Sequence, residues 1–94
     1  LAAHPDPLVR SAAAVALGRI GQAQDRALLV ALMSDRDWWV RLRAAQSVLA
    51  LPGADAVAVE ALRAGLQDRF ARDALDHARA ERALSAGAAP APAP

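Results

Sequence analysis

A chain of 94 residues with a formal net charge of +1 sets an upper limit of one domain and leaves it a marginal core. Its eleven basic side chains, all arginine, nearly balance ten carboxylates, so the basic excess of a nucleic-acid binder is missing. The lack of cysteine excludes a disulfide framework, thiolate zinc sites, iron–sulfur ligation and cysteine nucleophiles.

The first element, "DPLVRSAAAVALGRI" (Asp6 to Ile20), opens on an aspartate that can take a free amide of the first helical turn. Val9, Ala13, Ala16, Leu17 and Ile20 follow at helical spacing and predict one apolar face, closed by Gly21. A shorter helix, "DRALLVALMS" (Asp25 to Ser34), presents Leu28, Leu29, Leu32 and Met33. The third element, "DWWVRLRAAQSVLAL" (Asp37 to Leu51), repeats the first at an offset of 31: Asp6 falls on Asp37, Val9 on Val40, Arg10 on Arg41 and Ala13 on Ala44. Pro52-Gly53 ends it. The fourth, Asp55 to Gln67, presents Val57, Ala58, Ala61, Leu62 and Leu66.

A further step of 31 reaches "DRFARDALDHARAER", with Asp68, Ala71, Arg72 and Leu75 in register. The turn before it is shorter than its predecessor, and Gly65 is its one breaker, so the fourth and fifth helices could run together. From Ser85 the composition changes to "SAGAAPAPAP", which predicts an extended, disordered tail or linker. The expected organisation is a helical domain over residues 1–84 and a tail over 85–94.

The run "HPDPLVRSAAAVALGRIG" resembles the second helix of bacterial HEAT repeats, the type also found in phycobilisome-lyase relatives. "DWWVRLRAA" and "DRFARDAL" are similar to the same helix start. The resemblance implies an all-α HEAT-like solenoid segment of about two and a half helical hairpins. The Asp-x-x-[Val/Ala]-Arg helices would line its concave side. The last copy reads as a polar cap, because Arg79 and Arg82 stand where earlier copies have Leu17/Val48 and Ile20/Leu51. The family implies a non-catalytic protein-interaction or scaffolding module. Two alternatives are an accessory domain of a lyase-type enzyme and a nucleic-acid-binding module of the same fold.

The pairs Asp6/Arg10, Asp37/Arg41 and Asp68/Arg72 are read as structural repeat positions, capping each helix and pairing at i,i+4. An anion-binding ladder is disfavoured, because the alternating carboxylates cancel its field. His4 and His77 stand far apart, with no pattern of the H-x-x-x-H kind and no His-Glu dipeptide of the HEAT-like di-iron hydroxylases. Gly18 and Gly21 read together as helix-end chemistry. No metal, cofactor or catalytic residue is assigned.

The tryptophans remain. A wheel that buries Val9, Ala13 and Ile20 places Leu8, Trp39 and Phe70 at one equivalent position, off the core centre. That lane continues through Arg43 and Gln46, and through His77 on the last helix. Trp38 heads another stripe, with Leu42, Ala45 and Leu49, on a helix flanked on both sides. It is therefore expected in the inter-repeat core. The expected partner-binding lane is Trp39, Arg43, Gln46, Phe70 and His77, with Trp39 alternatively a staple packed over a turn. The partner expected is a protein rather than a nucleic acid, with the oligomeric state open. No apolar run reaches the roughly twenty residues of a bilayer span. The chain opens on Leu1 without a signal-peptide pattern, reads as a piece of something longer, and is expected in the cytoplasm.

Overall fold

The computed structural model of the chain describes residues 4–87. In order, these form α1 (Pro7–Ile20), a 3-10 turn (Ala23–Asp25), α2 (Arg26–Leu32), α3 (Trp38–Ala50), α4 (Ala56–Gly65) and α5 (Arg69–Gly87), with no strand among the described residues. One helix followed by two helical hairpins is the all-α, two-and-a-half-repeat segment that the period predicts. Helices α1, α3 and α5 pack side by side in one layer, and α2 packs on α3 from the other.

The aspartates set the helix starts. Asp6 accepts the Leu8 amide at 2.9 Å, Asp37 the Trp39 amide at 2.9 Å, Asp55 the Ala58 amide at 2.8 Å and Asp68 the Phe70 amide at 2.9 Å. Each bond satisfies a donor that the first turn leaves free. Helix α2 is the exception: Asp25 makes no side-chain capping bond and a 3-10 turn leads in. At the far end of α1, Gly21 has φ 70° and donates to the Leu17 carbonyl, a left-handed cap that glycine adopts without strain.

The core is centred on α3. Val40, Ala44, Val48 and Leu51 are buried along one of its sides and Leu42, Ala45 and Leu49 along the other, joined by Leu29, Leu32 and Met33 of α2 and Ala71, Ala74, Leu75 and Ala78 of α5. Leu29, Met33, Leu75 and Val40 are completely enclosed. Alanine at Ala14, Ala44, Ala45, Ala71 and Ala74 lets the helices of this layer come close. Gly18 takes that furthest. A Cβ added there would lie 2.6 Å from Ser47 Cβ, so Gly18 is a helix-contact glycine rather than part of the helix end.

Three sequence expectations change, and one open boundary closes in favour of two helices. On α4 the buried residue is Val59, with Leu62 and Leu66 packed beside it, while Val57 and Ala61 face solvent. The pairs Arg63–Asp76 (2.7 Å) and Arg79–Glu60 (3.1 Å) link α4 to α5 in this rotation. On α2, Leu28 is exposed. Helices α4 and α5 are separate: Leu66 to Asp68 break the chain and Asp68 caps the new start. Finally, α5 continues through Ser85 to Gly87, since nothing in Ser-Ala-Gly breaks a helix as the later prolines do. The Ala-Pro run from residue 88 lies outside the described residues.

Candidate partner-binding face

Helices α3 and α5 run parallel. Near their starts Arg41 of α3 meets Phe70 of α5, and further along Gln46 meets Glu81. Parallel packing brings the two N-terminal ends to one edge, where three large rings stand in solvent: Trp38, Trp39 and Phe70.

Each ring carries a guanidinium. Arg43 lies over Trp39 with 4.2 Å to the ring centroid, and Arg69 lies 5.3 Å from Phe70. Arg41 sits between two rings, 5.6 Å from Trp38 and 5.2 Å from Phe70. All are within the range of cation–π attraction. The polar side chains continue the line. Arg43 Nη1 donates to Gln46 Oε1 at 3.0 Å, Gln46 Nε2 donates to Glu81 Oε1 at 3.0 Å, and Glu81 lies 4.0 Å from His77 Nε2. His77 in turn meets Trp38 edge-on, with centroids 5.5 Å apart. Trp39, Arg43, Gln46, Phe70 and His77 thus belong to one connected surface.

Trp38 belongs to it too, which corrects its assignment to the core. Trp38 is 42% exposed and Trp39 44%, so burial does not separate the two rings. The stripe it heads is buried at Leu42, Ala45 and Leu49, but Trp38 is the first residue of α3, at the rim of the packed layer. The repeat held a signal for this. The positions equivalent to Trp38 are Pro7 and Arg69, and neither is a core residue type. Arg41 and Arg69 are further members off that lane, whereas Glu81 lies on it, one turn past His77. Arg69 was legible as an arginine next to Phe70.

The regular Asp/Arg pairs are assembled differently from the expected i,i+4 bridges. Asp6, Asp37 and Asp68 face the amides of their own first turns. Arg10 reaches back to the carbonyls of His4 (2.8 Å) and Pro5 (2.9 Å), and grips Asp35 with two bonds of 2.8 and 3.0 Å. Arg41 reaches the Asp35 carbonyl at 2.9 Å, the repeat equivalent of the His4 carbonyl. The arginines therefore fasten the turn preceding each helix. Arg72 makes no such bond among the described residues, because three residues separate α4 from α5 where five separate α2 from α3. Burial pushes the Asp35 carboxyl up, yet the Arg10 guanidinium and the Asp37 amide hold it below the ordinary value. The Ser34 hydroxyl and then the Phe70 amide lower Asp68.

This architecture, helical hairpins stacked at a fixed period with one helix of each in a common layer, defines an α-solenoid segment. The sequence pattern of the HEAT repeats family matches residues 1–85, and the chain belongs to that family. No curated protein and no solved structure gives a match. HEAT repeats generally mediate protein–protein interaction or scaffolding and are typically non-catalytic. Among the described residues no helix is long and apolar enough to cross a membrane.

Proposed function

We propose that the chain is a non-catalytic protein-docking module that holds its partner across the N-terminal edge of α3 and α5. The observation that carries this is the grouping of Trp38, Trp39 and Phe70, all exposed, with an arginine guanidinium within cation–π range of each. Tryptophan and arginine dominate the binding energy of protein interfaces. An exposed aromatic group of this size on a small domain marks an interaction site. Trp39 and Phe70 are the anchors, Arg43 and Gln46 the polar rim, and His77 supports the Trp38 ring.

The test is comparative capture. Cell extract passed over the immobilised chain should yield a partner retained by the wild type and by Val57→Ala, an exposed apolar position on α4. Trp39→Ala and Phe70→Ala should both lose it. A partner that all variants retain equally places the interface elsewhere. A bilin spectral shift or a salt-sensitive gel shift, each surviving Trp39→Ala, would instead favour the lyase-accessory or nucleic-acid readings.

A further inference from the structure

The arginines beside the rings specify what the edge can hold. A guanidinium attracted to a ring still has N–H groups to offer another partner. Among the described residues three arginine forks are matched by carboxylates, Arg10 by Asp35, Arg63 by Asp76 and Arg79 by Glu60, and none of the three lies at this edge. Among the described residues Arg41, Arg43 and Arg69 form no ion pair with a carboxylate. Of the nearby acids, Asp37 and Asp68 are engaged on helix amides, Asp35 on Arg10, and Glu81 on Gln46 and His77, while Asp73, one turn after Arg69, is exposed.

Resting on the docking role proposed above, we infer that the edge takes an acidic peptide segment of a partner protein. Its carboxylates would sit on the Arg69 fork and on the Arg43 N–H groups that Gln46 leaves open, and its apolar side chains on Trp38, Trp39 and Phe70. Charge complementarity supports this occupant. Planar forks match carboxylates with two parallel bonds, and the flanking rings exclude water from them. A nucleic-acid strand fits less well. Its evenly spaced phosphates would also meet the exposed carboxylates of Asp73 and Glu81 on α5, whereas a peptide places its charges only where the forks are. The formal net charge of +1 adds little long-range attraction for a polyanion.

Fluorescence anisotropy on the full chain tests this with three labelled probes: a peptide alternating glutamate and phenylalanine, the same peptide with glutamine for glutamate, and oligothymidylate. The glutamate peptide should bind the wild type about tenfold or more tighter than the glutamine peptide, the scale of one charge-assisted contact. Arg43→Gln and Arg69→Gln should each remove most of that advantage. Arg82→Gln, at the exposed far end of α5, should leave it intact, with circular dichroism confirming that every variant is folded. Equal binding of the two peptides, weakened alike by Trp39→Ala, overturns the acidic preference and leaves the docking face standing. No binding of the glutamate peptide to the folded wild type, or tighter binding of oligothymidylate, overturns the inference.

Discussion

Helices α1 and α3 are two copies of one pattern, and they end in different surroundings. Val40, Ala44 and Val48 of α3 and Leu51 at its C-cap are all buried, while their counterparts Val9, Ala13 and Leu17 are half-buried and Ile20 is exposed. The last pair is the clearest: Leu51 is 5% exposed and Ile20 60%. The difference lies in the neighbours. Helix α3 has α1 and α5 on its flanks and α2 across its face, whereas α1 packs chiefly on α3. A repeat pattern thus states which side of a helix is made for burial, and the stack decides whether that side is covered.

The largest effect should come from the covered copy. Leu51→Ala should lower unfolding free energy by about 2–4 kcal/mol, the cost of emptying a well-packed site. Ile20→Ala should stay within about 0.5 kcal/mol, as exposed positions do. Urea denaturation of both variants measures the contrast, and equal losses would break the comparison. Next is the seam between the two helices. Gly18→Ala should cost about 1–3 kcal/mol, because the new methyl meets Ser47 Cβ at 2.6 Å and its backbone Cα at 3.0 Å. Adding Ser47→Gly should recover part of the loss, which a purely helix-terminal role for Gly18 would not allow.

Acid sharpens the comparison at the turn that joins the copies. The Asp35 carboxyl ordinarily titrates at 3.8 and is lowered in the fold. A depressed folded value contributes stability above the unfolded value, and that contribution is lost as pH falls through the folded one. Removing Arg10 leaves the burial that raises Asp35 without its counterweight. Arg10→Gln should therefore move the acid-unfolding midpoint to higher pH, read by circular dichroism across the acid range. An unchanged midpoint would mean that the Arg10–Asp35 grip carries no stability. The rings should contribute little. Trp38→Ala and Trp39→Ala should each cost about 1 kcal/mol or less, the scale of an exposed cation–π contact. A clearly larger loss for Trp38 would return it to the core.

The fold was readable because its determinants are local and periodic. The offset of 31, the capping aspartates and Gly21 are all features of single segments. The lane through Leu8, Trp39 and Phe70 was readable for the same reason, and all three are exposed. What escaped the sequence depends on neighbours. The rotation of α4 follows the packing of Val59, Leu62 and Leu66 on the core, the grip of Arg10 depends on an aspartate 25 residues away, and the need for Gly18 follows from Ser47 on another helix. Trp38 departs from its stripe for a different reason. The stripe is buried at Leu42, Ala45 and Leu49, but burial stops at the first residue of α3, where the layer ends.

Native-state hydrogen exchange on the wild-type chain tests most directly whether α3 is the keystone and α1 its half-covered copy. The account predicts the slowest amide exchange in α3, with α2 close to it, and markedly faster exchange along α1, most of all toward Ile20. Equal protection along α1 and α3 would contradict it, because two helices opening together cannot differ in how much of their stability comes from being covered.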